Sequence, residues 1–369
     1  MNRKFYNDLA DQGLGKTPLA RAACEEILGS PDIELLPLLN AAFEVRKKYT
    51  GKEVMVHVIN NAQNGFCPED CHYCPQAKSS QADIEEYPLK PDEEIFAEAQ
   101  KAHEGGAFRY CMVFAGRGPS QRRSEKLAAL ISEIKRRYPL EVCVSAGLLD
   151  DEKAKILKAA GLDRLNHNLN SSAAHYPKIC STHTYQDRLD TVKSAQRAGL
   201  EICSGMIVGM VESPSDVIEV AMTLREMKSR SIPVNFLVPI EGNTLQRASE
   251  LSPDYCLRIL CLFRFLNPDA EIRAAAGREL HLRSMEVMAL YPANSLFLEG
   301  YLNTRGSARA KTLRMIQDAG FTIKSEQNLD ELLKGVADPD SPQANDRETI
   351  GAVKGWQELR PYFSPDDKK

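Results

Sequence analysis

The chain has 369 residues, with 47 lysines and arginines against 51 aspartates and glutamates, a formal net charge of -4 and 43% hydrophobic residues. This composition is typical of a folded globular protein and excludes disordered and fibrous classes. The weak negative charge provides no global positive field that would attract a phosphate backbone, so we expect no nucleic-acid partner.

The chain also lacks the marks of secretion and of membrane insertion. Its N terminus mixes charged residues throughout, without the apolar core of a signal peptide. The most apolar later segment, residues 256–266, contains Arg258 and Arg264 and is shorter than the about 20 residues that span a bilayer. We therefore expect a cytoplasmic protein with no membrane association. In a reducing compartment its ten cysteines do not form a disulfide framework, so clustered cysteines indicate metal or redox chemistry.

The predicted elements begin with helices. Residues 1–50 are predicted to form an N-terminal helical cap on the barrel's N-terminal side, with Ser30 or Asp32 as a helix N-cap. From residue 54 onward, short apolar runs alternate with amphipathic helical patterns. The eight predicted strands cover 54–60, 108–115, 140–146, 164–170, 200–209, 233–239, 270–276 and 294–300.

Eight strand–helix units of about 31 residues predict a (β/α)8 TIM-type barrel over residues 51–322. Several predicted helices end at a glycine, namely Gly161, Gly199 and Gly320, as a left-handed C-cap requires. The alternative is a doubly wound open sheet, but the usual Gly-rich turn after its first strand is missing. Residues 323–369 form a short C-terminal extension that we expect to be partly disordered, with its lone Trp356 either a docking anchor or a core residue.

Three cysteines stand immediately after the first predicted strand, in the segment NGFCPEDCHYCPQAK. Cys67, Cys71 and Cys74 have the spacing C-x3-C-x2-C, and in a barrel this loop lies at the C-terminal mouth, where active sites are built. Three thiolates can bind three irons of a 4Fe-4S cluster and leave the fourth iron open to another ligand. The alternative is a structural zinc site, which usually needs four closed ligands.

Three more cysteines fall inside predicted strands two, three and five. Cys111, Cys143 and Cys203 follow one another by 32 and 60 residues, about one and two repeat units, so we expect similar heights in the barrel. A single buried cysteine on a strand is more often a small apolar residue than a ligand.

Arg273 in strand seven lies a further 70 residues on. A buried guanidinium is costly when unpaired, so Arg273 is either an ion-pair partner or part of the same site. Cys24, Cys180, Cys256 and Cys261 receive no metal role.

The Cys67–Cys74 motif, with Tyr73 before its last cysteine, resembles the signature of radical S-adenosylmethionine enzymes. The order GFCPEDCHYCPQ, RYCM, EVCVSAG, LNHNLN, THTYQDRLDT, ICSGMIVG and IRAAAGRE, from about residue 45 to 320, further resembles the biotin synthase family. The resemblance implies a 4Fe-4S cluster on Cys67, Cys71 and Cys74. It also implies a second, 2Fe-2S cluster, whose ligands would be Cys111, Cys143, Cys203 and Arg273.

The resemblance extends to the remaining polar residues of the predicted strands. Asn166, Asn168 and Asn170 recur at period two and are expected on one side of strand four. The family implies that Asn168 contacts both S-adenosylmethionine and substrate, and that position 170, an aspartate in some members, approaches the ribose. Further contacts with S-adenosylmethionine are implied for Tyr73, Arg188, Ile207 and Val238, and a contact with the substrate's ureido ring for Asn235. Arg188 would bind a carboxylate, with an exposed helix-surface charge as the alternative.

The activity implied by this resemblance is sulfur insertion into dethiobiotin, which makes biotin, and hence a sulfurtransferase. Saturated C–H bonds offer no accessible proton or leaving group, so a cofactor must carry the chemistry. Cleavage of S-adenosylmethionine at the reduced 4Fe-4S cluster would give a 5'-deoxyadenosyl radical, and the 2Fe-2S cluster would donate the sulfur. A flavodoxin or ferredoxin-type electron donor and a homodimer are also implied. The alternatives are another radical enzyme acting on a different small molecule and a non-catalytic iron–sulfur redox or sensor protein.

Overall fold

A closed barrel of parallel strands forms the centre of the structure, a computed structural model that describes residues 3–245, 249–334 and 350–362. Eight strand positions close through pairing of the first with the last, and the fifth position is split between β5 and β6 around Ser204 and Gly205. The barrel strands are β1 Glu53–Gln63, β2 Arg109–Phe114, β3 Glu141–Ser145, β4 Arg164–Asn166, β5 Glu201–Cys203, β6 Met206–Val208, β7 Ser231–Phe236, β8 Glu271–Ala274 and β9 Ser295–Phe297. A short β10, Thr322–Ile323, pairs with the start of β1.

Helices follow the strands and cover the outside of the barrel with buried apolar side chains. They are α4 Asp92–Glu104, α5 Gln121–Arg137, α6 Asp151–Ala159, α7 Tyr185–Arg197, α8 Pro214–Glu226, α9 Pro253–Leu266, α10 Arg278–Leu282, α11 Arg309–Asp318 and α12 Leu329–Leu333. Capping boxes at Thr184 and Ser213 begin α7 and α8. Across the described residues, no helix has the length and apolar character needed to cross a membrane. The predicted (β/α)8 barrel is confirmed.

The limits of all eight predicted strands differ from those in the structure, and the strand predicted at 200–209 is divided into β5 and β6. The fourth was predicted over 164–170 but β4 ends at Asn166, because the chain then leaves the extended conformation and Asn170 adopts a positive φ of 68°. Asn170 still forms an isolated parallel bridge with Met206. The predicted strand at 233–239 begins earlier, at Ser231, and ends at Phe236. Gly161, Gly199 and Gly320 all have positive φ at helix ends, as predicted.

The N-terminal segment forms three helices, α1 Arg3–Leu14, α2 Arg21–Gly29 and α3 Leu35–Thr50, so the helical prediction is confirmed. The predicted N-cap is wrong, because α3 begins after Glu34 and Ser30 instead ends α2. They pack along α8 and α9 on the outside of the barrel. Arg258 of α9 donates hydrogen bonds to the carbonyl oxygens of Ser30 (2.7 Å) and Ile33 (3.2 Å), and so fixes the loop between α2 and α3. The segment therefore covers the outer face of two barrel helices.

Residues 350–362, here called the C-terminal strap, dock on the barrel through α13 Trp356–Leu359. The ring of Trp356 packs edge-on against Tyr87 with centroids 6.0 Å apart. Arg360 forms an ion pair with the buried Glu94 at 2.6 Å. Trp356 is buried in a small apolar cluster with Tyr87 and Leu359 and anchors the strap there, so it meets both of its predicted roles. The remainder of the predicted disorder falls on residues 335–349 and 363–369, outside the described residues.

Candidate active site

One cavity of about 380 Å³ extends from the C-terminal mouth of the barrel into its lumen. It is lined by side chains from the loop after β1 and from strands around the whole barrel. All fourteen residues that the sequence analysis singled out as cofactor, substrate or metal ligands line this cavity: Cys67, Cys71, Tyr73, Cys74, Cys111, Cys143, Asn168, Asn170, Arg188, Cys203, Ile207, Asn235, Val238 and Arg273. The two cysteine triads therefore face one shared space.

The loop after β1, residues 64–78 and here called the cluster loop, carries the first triad in a series of tight turns. The amide of Cys74 donates to the carbonyl of Cys71 at 3.0 Å, and the amide of Ala77 donates to that of Cys74 at 3.2 Å. Gly65 begins the loop with φ of 80°, and a Cβ there would lie 2.5 Å from the Glu86 side chain. Only glycine meets both demands without strain.

Two carboxylates between Cys67 and Cys71 fasten this loop to the segment that precedes α7. Asp70 accepts a hydrogen bond from the backbone amide of Ser181 at 2.9 Å. Glu69 accepts from Nδ1 of His183 at 2.5 Å and from Arg117 at 3.2 Å. Burial alone would raise the pKa of Glu69, but the hydrogen bonds it receives outweigh burial and lower that pKa. The sequence analysis missed this clamp, for which the acidic pair inside the cysteine motif was the available signal.

The second triad lies on barrel strands. Cys111 of β2 and Cys143 of β3 are register partners, and Cys203 ends β5. Hydrogen bonds join Cys143 to both other thiols; they lower the pKa of Cys111 and Cys203 and raise that of Cys143. Nη1 of Arg273 lies 3.8 Å from Sγ of Cys203. The expectation that these strand positions converge is therefore met.

Arg273 satisfies both alternatives left open by the sequence, because it lines the cavity and also forms an ion pair. Glu271, two residues earlier on β8, accepts from Arg273, from Arg109 at 2.9 Å and from Nε2 of His57 at 2.9 Å. Arg273 also donates to the hydroxyl of Ser231 at 3.0 Å. Burial would raise the pKa of Glu271, but the two arginines hold it well below its usual value. Glu271 shares a strand face with Arg273, a signal that the sequence analysis did not use.

Arg188 is buried, so the alternative of an exposed surface charge is wrong. Its guanidinium donates to the carbonyl of Asn168 at 2.8 Å, to Nε2 of His183 at 3.0 Å and to the hydroxyl of Tyr176. Among the described residues no carboxylate lies within ion-pair distance of Arg188. A buried guanidinium held only by neutral groups fits a carboxylate ligand, which would compensate its charge.

The three asparagines after residue 164 reach the cavity although only Asn166 lies in a strand. Oδ1 of Asn168 accepts from the amide of Gly205 at 3.1 Å. Nδ2 of Asn170 donates to the hydroxyl of Tyr73 at 2.5 Å, which joins the position to the cluster loop. Asparagine and aspartate are enriched among non-glycine residues with positive φ, so the backbone at position 170 suits either residue.

The wall formed by β6 and β7 is partly apolar. Ile207 and Asn235 are register partners on these strands, and Val238 follows β7. The amide group of Asn235 donates to the carbonyl of Met206 at 3.0 Å and accepts from the amide of Ala276 at 3.2 Å. These bonds fix the side chain's orientation at the cavity wall.

The donor sets fit iron–sulfur clusters in their chemistry. Thiols from one loop converge at the mouth, and thiols from three strands converge with a guanidinium in the lumen, where they are hydrogen-bonded to one another and packed against Ala275, Phe297 and Tyr301. Three cysteines at the mouth provide one ligand fewer than a closed cluster needs. A cluster held there would have one iron without a protein ligand, and Arg188 and Tyr73 line the same cavity.

The barrel resembles solved structures of related fold. Methylornithine synthase aligns with a TM-score of 0.74 at 21% identity, covering 88% of this chain and 98% of that one. The FeFe-hydrogenase maturase from Carboxydothermus hydrogenoformans aligns with a TM-score of 0.74 at 18% identity, covering 89% and 81% of the two chains. At these identities the likeness concerns the fold alone.

Sequence comparisons define the family. The model of the radical SAM superfamily matches residues 64–224, and that of the biotin and thiamin synthesis associated domain matches residues 233–322. Fold, cysteine motif and these matches place the chain among the radical S-adenosylmethionine enzymes. Biotin synthase from Magnetococcus marinus is 57% identical, covering 84% of this chain and 96% of its own. That from Acaryochloris marina is 54% identical, covering 84% and 89%. The chain belongs to the biotin synthase family.

Proposed function

We propose that this protein converts dethiobiotin to biotin by inserting one sulfur atom between two saturated carbons. The observation that carries the proposal is the presence of two thiol triads in one cavity. A radical enzyme that only rearranges or methylates its substrate needs the mouth triad alone. The lumen triad with Arg273 provides a second site, from which sulfur can be drawn.

At the mouth, Cys67, Cys71 and Cys74 would hold the 4Fe-4S cluster. When bound, the cluster supplies an electron for cleavage of S-adenosylmethionine, and this produces the radical that attacks unreactive C–H bonds. The chain's own contribution is to fix the loop, and the hydrogen bonds received by Glu69 and Asp70 do so. Precise placement of reactants provides a large part of the rate acceleration in such sites.

Side chains around the cluster loop would bind S-adenosylmethionine. Arg188 is assigned to the methionine carboxylate, because its buried charge is held only by neutral partners. Tyr73 and Asn170, hydrogen-bonded to each other, are assigned to the ribose region together with Asn168. Ile207 and Val238 provide an apolar wall for the adenine ring.

The substrate would lie between the two triads. Amides suit a ureido ring, which both donates and accepts hydrogen bonds, so Asn168 and Asn235 are assigned to it. The 2Fe-2S cluster enters this reaction as the sulfur substrate, held by Cys111, Cys143, Cys203 and Arg273. Glu271, which does not line the cavity, forms an ion pair with the guanidinium of Arg273. The barrel interior excludes water from reactive carbon species.

The partners of this reaction follow from the same assignment. A low-potential flavodoxin or ferredoxin-type protein would deliver the electron at the mouth. We also assign a homodimer and a cytoplasmic location. Size-exclusion chromatography with light scattering of the anaerobic protein tests the dimer.

The proposal is tested with the full chain prepared anaerobically and supplied with dethiobiotin, S-adenosylmethionine and a reduced flavodoxin. We expect biotin and 5'-deoxyadenosine from the wild type. Cys203→Ala should form no biotin but continue to form 5'-deoxyadenosine. Cys256→Ala, which removes a buried thiol from α9, is the matched control and should form both products.

Three results would contradict the proposal in different ways. Biotin formation by Cys203→Ala would show that the sulfur does not come from the site of the lumen triad. Formation of 5'-deoxyadenosine without biotin by the wild type would favour another substrate. Absence of both products, with the iron retained, would favour a redox or sensor protein.

A further inference from the structure

A fourth thiol lies beside the mouth triad. Cys180 is buried, on the segment between β4 and α7, and its Sγ lies 3.7 Å from Sγ of Cys71. Close by, the amide of His72 donates to the carbonyl of Ile179 at 2.9 Å, so the two backbone segments are hydrogen-bonded next to the thiol pair. The sequence analysis gave Cys180 no role, because nothing in the spacing of residues 71 and 180 indicates contact.

Two chemistries are open to this pair. Cys71, Cys180 and His183 bring three potential metal-ligand atoms within 4.8 Å of one another. However, both nitrogens of His183 are engaged: Nδ1 donates to Glu69 at 2.5 Å, and Nε2 accepts from Arg188 at 3.0 Å. A metal ion would have to break one of these bonds, whereas a bond between the two sulfurs would break neither.

We propose that Cys71 and Cys180 form a reversible disulfide when the mouth triad holds no cluster. The oxidant is a small-molecule disulfide such as oxidised glutathione. Cys71, which lines the cavity, attacks it through its sulfur and releases one small thiol, which takes up the proton that the Cys71 thiol loses. Cys180 then attacks the mixed disulfide and releases the second. Two protein thiols are oxidised by two electrons, and one small disulfide is reduced to two thiols.

This disulfide would act as a lock on cluster assembly. It removes Cys71 from the triad, so the mouth retains only two of its three iron ligands. It also protects that thiol from oxidation to sulfinic and sulfonic acids, which cells do not generally reverse. Reduction by a dithiol returns Cys71 to the triad. The inference concerns the cluster-free chain and stands whatever substrate the loaded enzyme uses.

Peptide mapping tests the pair directly. Full-length cluster-free protein is incubated anaerobically with oxidised glutathione, alkylated and digested with trypsin. Cleavage is expected after Lys52, Lys78, Lys178 and Arg188, so the bond would join peptide 53–78 to peptide 179–188. We expect this linkage in the wild type, with fragmentation assigning it to Cys71. Cys24→Ser, altered at a distant buried thiol, is the matched control and should retain the linkage.

Reconstitution provides a second readout. After oxidation, iron and sulfide should restore the EPR signal of the reduced 4Fe-4S cluster in the wild type only when a dithiol is added. Cys180→Ser should regain the signal without it, and Cys180→Ala repeats the test if serine is not tolerated in the buried position. Linkage of Cys180 to Cys67 or Cys74, or glutathione adducts without any linkage, would overturn the proposal. So would zinc bound through Cys180 in the untreated protein.

Discussion

The two thiol triads are positioned by different kinds of structure. The lumen triad stands on three barrel strands, where the parallel register sets the height of each thiol. The mouth triad stands on a loop whose shape depends on hydrogen bonds to a neighbouring segment, through Glu69 and Asp70. Strand register leaves little freedom, whereas a loop held by side chains can adjust. We therefore expect the lumen to be the more rigid site and the mouth the more adaptable one.

The electrostatic surroundings of the two triads differ in the same way. Below the lumen triad, Arg109, Glu271, Arg273 and His57 form a fully buried network. At the mouth, Glu69 is buried but its partner Arg117 is half exposed. When a fully buried charge loses its partner, water cannot reach the charge and take the partner's place. At the cavity rim water can do so. Substitutions in the two networks should therefore differ in cost.

Glu271→Gln should have the largest effect on stability. It leaves two buried guanidinium groups without their shared carboxylate, and loss of one partner from a buried ion pair costs about 3–5 kcal/mol. Urea unfolding of the anaerobic protein measures the change. Glu133→Gln, in a surface ion pair with Arg136, is the control and should leave the free energy of unfolding nearly unchanged. If both variants lost the same free energy of unfolding, the claim that the buried network stabilises the fold would be contradicted.

Glu69→Gln should cost less, about 1–3 kcal/mol, because it weakens charge-assisted hydrogen bonds to His183 and Arg117 without stranding a fully buried charge. Its effect should be local. Hydrogen exchange should accelerate in the cluster loop and remain unchanged in β2 and β3. Faster exchange in those strands would show that the two sites do not behave separately.

The C-terminal strap supports the cavity wall, since Lys354 donates to the carbonyl of Tyr301, a residue of the cavity lining. Burial lowers the pKa of Lys354 to about 8. Between that value and about 10.4, the pKa of a free lysine, the undocked strap binds more protons than the docked one. Docking should therefore strengthen as the pH rises through this window, by on the order of 1 kcal/mol.

Fluorescence of Trp356, the single tryptophan of the chain, reports this docking. The local urea midpoint should be higher at about pH 9.5 than at about pH 7.5. In Lys354→Met that difference should disappear. The contrary result is a urea midpoint that falls between these two pH values by more in the wild type than in Lys354→Met. It would contradict the burial of the Lys354 amine.

Asn170→Asp should have the smallest effect. The backbone with positive φ accepts either residue, and a carboxylate would replace a neutral hydrogen bond to S-adenosylmethionine by a charge-assisted one. We expect affinity to rise by about threefold to fivefold, or about 1 kcal/mol. Equilibrium binding to the anaerobic protein measures it. Weaker binding would place the ribose away from residue 170.

The barrel and the cavity residues could be predicted from the sequence because both depend on repetition. Period-two apolar runs, helix-ending glycines such as Gly161 and a constant repeat length locate the strands, and their register brings Cys111, Cys143 and Cys203 together. The short β4 was missed because alternation of Asn166, Asn168 and Asn170 continues past the point where the backbone turns. The alternation of side-chain types along a sequence does not reveal where the backbone φ changes.

Contacts between separate loops could not be predicted. Cys71 and Cys180, like Glu69 and His183, meet because two connections lie side by side at the mouth, and no spacing along the chain encodes that meeting. The buried network below the lumen could be predicted only in part. Glu271 and Arg273 share one strand face, but the addition of Arg109 and His57 depends on closure of the barrel around them.

The separation of the two sites is tested most directly by iron and acid-labile sulfide analysis with Mössbauer spectroscopy of anaerobic protein. The wild type should contain about six irons per chain, four in one spectral component and two in another. Cys203→Ala should keep about four, and Cys71→Ala about two. Loss of both components in either variant, or zinc in place of iron, would contradict two independently held clusters.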